Sequence, residues 1–172
     1  MARRSGNLNV ATAARKAEAG GAEEKDTFFL WGVARSPVKN NGGKMVADKQ
    51  AREVLQAYLE GWQRKDKESW LALFAADAEV IDPVGAPAHT GLEAISAFWD
   101  TVTSTGLALN PTLHRIAVCG DEAVMSFTMA STAPSGMGMA VEIIDVFTFD
   151  DGGKITRLRA YWDQGCMRMI TP

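Results

Sequence analysis

Three side chains in this sequence could move or hold a proton, and each sits in an apolar stretch. Tyr58 lies in Val54-Leu55-Gln56-Ala57-Tyr58-Leu59, Asp82 in Val80-Ile81-Asp82-Pro83-Val84-Gly85, and Asp145 in Ile143-Ile144-Asp145-Val146-Phe147. An acid among β-branched and aromatic neighbours is costly to ionise, so it is paired, shifted in pKa or functional. Asp82 ends a strand pattern at a Pro-Gly turn, where a carboxylate can sit at a cavity mouth and act as a general base. An aspartate before proline also serves simply to cap a turn. Asp145 is mid-strand. Desolvation raises its pKa, and a protonated acid donates a hydrogen bond that an ionised one cannot. Strand alternation equally allows an Asp145 that faces solvent or pairs with Arg157 or Arg159. Tyr58 reads both as a functional phenol and as a core tyrosine with a satisfied hydroxyl. Two acids in unlike surroundings plus a phenol suit proton transfer beside a carbonyl.

Other chemistries find little purchase. His89 and His114 stand alone, with no Cys, His or Glu at ligand spacing, so no metal site is expected. No serine-centred elbow and no phosphate-binding glycine loop occurs, and Gly136-Met137-Gly138 reads as hairpin chemistry.

The elements that must position these groups follow from periodicity. Val54, Leu55, Tyr58, Leu59 and Trp62 form one apolar stripe, which predicts a helix starting near Asp48 as N-cap and ending near Lys65. A short second helix is expected over Glu68–Ala75, burying Trp70, Leu71, Leu73 and Phe74. A strand over Ala78–Asp82 and a third helix over Leu92–Thr103 follow. The period then changes to two, with strands expected near Thr112–Cys119, Glu122–Ser131, Met137–Phe149 and Lys154–Gln164. Asp145, Phe147 and Phe149 share one strand face, opposite Ile144, Val146 and Thr148. In the last strand Leu158, Ala160 and Trp162 alternate with Arg157, Arg159 and Tyr161. Helices first and antiparallel strands after give an α+β fold, with helices packed on one face of a curved sheet. Met125, Met129, Met137, Met139, Met167 and Met169 are expected in the core or along an apolar pocket.

The chain has 172 residues, 47 % hydrophobic and 23 % charged, enough for one domain with a real core. The net charge of −3 is unevenly placed. Residues 1–45 carry eight Lys/Arg against four Asp/Glu, and residues 46–172 carry ten against seventeen. An acidic domain argues against nucleic acid as its partner. Residues 1–45 show no sustained period and are expected to form a flexible extension, in which Ala11–Ala19 could form a brief helix, and the patterned domain is expected over 46–172. Met45 stands as a candidate natural start, so deleting 1–44 is expected to leave folding and activity intact. The apolar run Phe28–Val33 is too short to span a bilayer and lacks the flanks of a signal peptide, and Cys119 and Cys166 are expected as idle thiols. A cytoplasmic protein is expected.

Taken together, the patterned domain resembles the ketosteroid isomerases (steroid Δ-isomerases) of the NTF2-like, SnoaL-like superfamily, over roughly Ala51 to Met167. The words Ala75-Ala76-Asp77-Ala78-Glu79-Val80-Ile81-Asp82-Pro83-Val84-Gly85 and Ile144-Asp145-Val146-Phe147-Thr148-Phe149-Asp150 carry the resemblance, with the closing Gly153-Lys154-Ile155-Thr156-Arg157-Leu158-Arg159-Ala160-Tyr161-Trp162. The spacings from Tyr58 to Asp82 and from Asp82 to Asp145 fit that family's layout. The resemblance implies an NTF2-like cone: a curved, mostly antiparallel sheet against three N-terminal helices, working as a homodimer without metal or organic cofactor. It implies that Asp82 moves a proton from C4 to C6 of a Δ5-3-ketosteroid, while Tyr58 and a protonated Asp145 hydrogen-bond the C3 oxygen of the dienolate. Phe74, Trp99, Met125, Phe127, Met129 and Trp162 are the expected walls of the steroid site. Phe74 and Trp99 stand where some members carry tyrosines that support the catalytic phenol, so Tyr58 is expected to have weaker support here. Other readings on the same fold are a polyketide cyclase, dehydratase or epoxide hydrolase, and a non-catalytic module for a hydrophobic ligand.

Overall fold

The computed structural model describes residues 46–172. The expectations for residues 1–45, including the helix over Ala11–Ala19, fall outside the described residues.

Helix α1 spans Asp48–Arg64 and buries Ala51, Leu55, Tyr58, Leu59 and Trp62, the stripe its spacing dictates. Its N-cap is Ala47 rather than Asp48. Asp48 instead lies in the first turn and holds Arg52 at 3.1 Å, one turn along. Helix α2 is shorter than expected, Lys67–Leu71, capped by the Asp66 carboxylate accepting from the Ser69 N–H. Phe74 belongs to strand β1, Phe74–Ile81, and not to that helix. The run from Phe74 to Val80 buries Phe74, Ala78 and Val80, and sheet pairing outweighs the helix propensity of its alanines. The two-residue strand β2, His89–Thr90, leads into α3, Gly91–Thr103. Then come β3 (Ala108–Cys119), β4 (Glu122–Thr132), β5 (Gly138–Phe149) and β6 (Ile155–Tyr161). A single 3₁₀ turn over Gln164–Cys166 precedes β7 (Met167–Ile170), which the periodicity did not reveal because four residues are too few.

The sheet order is β2-β1-β6-β5-β4-β3, antiparallel except where β1 runs parallel to β6. One edge of the long strand β5 is divided between two partners: β6 pairs its second half and β7 its first four residues. The helices cover the inner face of this curved sheet, so the fold is α+β as its pattern requires. The core is unusually aromatic. Trp62 stacks on Trp99 at 4.2 Å, and Trp70 packs against Phe74 at 4.6 Å and Trp99 at 4.8 Å. Each fully buried large side chain stabilises the fold by about 1.5–3 kcal/mol. Gly61 makes the α1–α2 contact possible, since a Cβ there would stand 2.9 Å from Trp70 Cδ1.

The outer face of the sheet is half apolar. Val124, Ile144 and Tyr161 are each between 41 and 49 % exposed there. Arg157, also on that face, pairs with Glu79 at 2.9 Å and so is no partner for Asp145.

Candidate active site

Strand alternation sends Asp145 inward, beside Met125 on β4 and Ala160 on β6, and leaves it 1 % exposed. Tyr58, from the middle of α1, meets it from the helical layer. Asp82 follows the last residue of β1, where Val84 N–H donates to Ala160 C=O at 2.8 Å and ties the turn to β6. Gly85 closes that turn with φ +103°, a conformation that favours glycine. Three elements far apart in sequence thus bring Tyr58, Asp82 and Asp145 to one cavity of about 230 Å³.

The rest of that cavity is apolar apart from Ser131. Trp62, Phe98 and Val102 line it from the helices. Leu109, Phe127, Met129, Val141, Ile143 and Trp162 line it from the sheet and the end of β6. Of the six expected walls, Phe127, Met129 and Trp162 are on the cavity. Phe74, Trp99 and Met125 are not: all three are core side chains, Met125 fully buried across from Asp145 and Phe74 packed on Trp70. Sequence reasoning missed Trp62, Phe98, Val102, Leu109, Val141 and Ile143. Alternation within β5 put Val141 and Ile143 on the Asp145 face, and that signal could have found them. The helix residues carried no such signal, because one apolar stripe serves both core and cavity.

The ionisation of the three groups is set by burial first. The Asp145 carboxyl is pushed well above the usual carboxylate range, because burial disfavours its charged form and the Asp82 charge adds to this; the Tyr58 hydroxyl works the other way. Its Oδ1 is buried with no hydrogen-bond partner. Burial likewise pushes the Tyr58 phenol well above its ordinary value, reinforced by the charges of Asp145 and Asp82, with the nearby Trp62 indole opposing. Asp82 is raised too, by burial, but two groups oppose the rise: a hydrogen bond donated by Trp162 Nε1 to Asp82 Oδ1 at 2.6 Å, and the charge of His89. The three environments thus diverge: burial pushes Asp145 and Tyr58 strongly toward their neutral forms, while at Asp82 the rise is smaller and a donated hydrogen bond opposes it. Such divergence is what acid–base chemistry on a carbon acid needs.

Ring packing fixes the phenol. Tyr58 touches Trp70 at 5.6 Å, Phe147 at 5.3 Å and Trp62 at 6.3 Å, the last two edge-on. Phe74 and Trp99 lie one ring further out, against Trp70 and Trp62. His114 binds Thr128 Oγ1 at 2.7 Å, on a residue of the outer sheet face. No cluster of three metal-ligating side chains occurs among the described residues. No helix among them is long and apolar enough to cross a membrane.

The SnoaL-like domain family matches residues 55–158. A protein of Nocardioides simplex named steroid Δ-isomerase is 32 % identical over 123 residues, 72 % of this chain and 97 % of its own length. Among solved structures, the Δ5-3-ketosteroid isomerase of a Mycobacterium species is 29 % identical, with a TM-score of 0.62 over 70 % of this chain and 98 % of that one. RV0760c of Mycobacterium tuberculosis, solved with estradiol-17β-hemisuccinate, is 27 % identical at TM-score 0.62, covering 69 % and 98 %. SalBIII, an epoxide hydrolase/cyclase-like enzyme of polyether formation, shares the fold at 18 % identity and TM-score 0.63, covering 69 % and 95 %. The chain belongs to the SnoaL-like family, with the NTF2-like fold, and within it is a relative of the steroid Δ-isomerases.

Proposed function

We propose that this protein is a steroid Δ-isomerase that converts a Δ5-3-ketosteroid to its Δ4 isomer. The observation that carries the reading is the pairing of unlike acids in one apolar cavity: Asp145, fully buried and pushed well toward its neutral form, beside Tyr58, with Asp82 accepting a hydrogen bond from Trp162 that opposes its own, smaller rise. In the first step Asp82 takes a proton from C4, and the C4–H bonding pair becomes the C3–C4 double bond of a dienolate. The C3 oxygen gains the displaced electrons and accepts hydrogen bonds from the Tyr58 hydroxyl and the Asp145 acid. In the second step the dienolate collapses, C6 takes the proton back from Asp82, and the conjugated enone leaves. Both donors are pushed toward their neutral forms beforehand and sit in an apolar-lined pocket, so they stabilise developing charge without reorganising. Asp82 must serve two carbons, which a carboxylate beside the flat ring system can do. The apolar walls bind a rigid tetracycle mainly by burial.

The exposed apolar outer face of the sheet supports a homodimer formed through it. No observation in the site favours the cyclase reading, since the fold alone is shared with that neighbour.

The test is to mix the protein with a Δ5-3-ketosteroid and follow the ultraviolet absorbance of the conjugated enone. Asp82→Asn is expected to lower the rate by about 10²–10⁴-fold while steroid still binds. A mutant as fast as the wild type would exclude the mechanism. Steroid binding with no turnover in the wild type would leave a binding module.

A further inference from the structure

The inner face of β4 and β5 continues beyond the cavity. Its opposed pairs run Met125–Asp145, Phe127–Ile143, Met129–Val141 and Ser131–Met139 without a break. Strand β7 extends the last two rungs, with Met167 opposite Val141 and Met169 opposite Met139. Directly opposed residues share a face, so Met139 and Met169 lie on the cavity's own side of the sheet. Burial falls along this ladder. Asp145 is 1 % exposed, Met139 38 % and Met169 66 %. From Asp145 to Met139 is six residues, about 20 Å of strand. Two methionines expected in the core or along an apolar pocket are therefore exposed.

A cavity of about 230 Å³ is also small for its proposed cargo. Pockets that enclose drug-sized ligands hold about 300–1,000 Å³. A tetracycle with its oxygen at Tyr58 and Asp145 would end short of the Ser131–Met139 rung, and a substituent on its far ring would extend over it. That rung bears two unbranched, polarisable side chains that adapt to flexible apolar groups. The patch is far smaller than the ~800 Å² per partner of a stable protein interface, and it is continuous with the cavity, which favours a part of the ligand over a second chain as its occupant.

We infer that Met139 and Met169 form an apolar shelf that receives an aliphatic substituent at the far end of the ligand. The inference rests on the steroid reading of the cavity and sharpens it: the preferred substrates are 3-ketosteroids with an alkyl chain at position 17, not those ending there in a bare oxygen.

The test uses testosterone and its 17β-acetate, butyrate and hexanoate, none of which can undergo the isomerisation. Binding is followed through the fluorescence of Trp62 and Trp162, which line the cavity. Full burial of a methylene gives about fourfold in affinity, and a half-exposed shelf about twofold per methylene. The Met139→Thr/Met169→Thr double variant is expected to abolish that chain-length dependence. Both positions are exposed and threonine suits a strand, so an unchanged thermal midpoint is the check on folding. Testosterone bound with no chain-length dependence in the wild type, or the same dependence in both proteins, would overturn the shelf alone. Failure to bind even testosterone would overturn the steroid reading and the shelf with it. A double variant that changes the oligomeric state, with a flat ester series, would assign the patch to a second copy of this chain and overturn the proposal.

Discussion

Replacing Trp162 by phenylalanine isolates the one hydrogen bond that holds the proposed base as an anion. The indole N–H donates to Asp82 Oδ1 at 2.6 Å, and it opposes the rise that burial imposes on that carboxyl. Hydrogen bonds to a charged group contribute about 1.5–3 kcal/mol, and one pKa unit corresponds to about 1.4 kcal/mol. Full loss would thus raise the Asp82 pKa by about one to two units. Asp82 is only partly buried, so water replaces some of the lost bond, and a rise of about one unit is expected. Phenylalanine keeps a ring on the cavity wall, which limits the change to the missing donor. The sign is fixed. A base with a raised pKa is protonated to a higher pH, so the acidic limb of kcat/KM moves upward. That limb reports the free enzyme, which makes kcat/KM the right quantity to follow by enone absorbance across pH. A parallel carboxyl-carbon NMR titration of the free protein, assigned with Asp82→Asn, reads the same shift without relying on turnover. A limb and a titration that stay in place, or move to lower pH, would refute the argument that this bond supports the anion.

Asp145 gives a stability prediction of definite sign. Its folded pKa is raised above the unfolded carboxyl value of 3.8. Its share of stability is fully present below that value and is lost, at up to about 1.4 kcal/mol per pH unit, as pH climbs to the folded pKa. Asp145→Asn is therefore expected to melt higher than the wild type at neutral pH, with the advantage shrinking towards about pH 4, and parallel melting curves at all pH values would count against a desolvated acid. Gly61→Ala should destabilise by about 1–3 kcal/mol despite alanine's better helix propensity, because Trp70 Cδ1 stands 2.9 Å from the new Cβ and Trp70 is fully buried; a denaturant midpoint equal to or above wild type would contradict this. If the outer face forms a homodimer, Ile144→Lys should lower the mass seen by sedimentation to that of one chain, and an unchanged dimer would move the contact elsewhere.

Local pattern settled much of this protein. The period of 3.6 in Val54–Trp62 requires an amphipathic helix with Tyr58 on its inner stripe, and alternation in Ile143–Phe149 requires Asp145 and Phe147 to share a face. The Pro-Gly turn after Asp82 ends its strand wherever that strand goes. These are nearest-neighbour properties of the chain, legible without knowing what packs on what. Phe74 escaped them: its neighbourhood reads as helix, and only pairing with β6 makes it a strand. Whether an inward residue lines a cavity or fills the core was likewise beyond local pattern. Met125 and Met129 sit on the same face of β4, yet Met125 is sealed in the core while Met129 faces the open cavity, a difference that depends on what packs over each. The same holds for Met139 and Met169, which the helices leave uncovered. The choice for Asp145 between an arginine partner and isolation was also tertiary, since Arg157 went to Glu79 on the opposite face. Pattern along the chain thus sufficed for most of the elements, for their inner faces and for the three residues that could carry chemistry. Folding decides that these three meet, that one acid is sealed from water while the other is held by an indole 80 residues away, and how far the apolar floor runs, because desolvation and hydrogen bonding depend on neighbours that only the packed chain brings together.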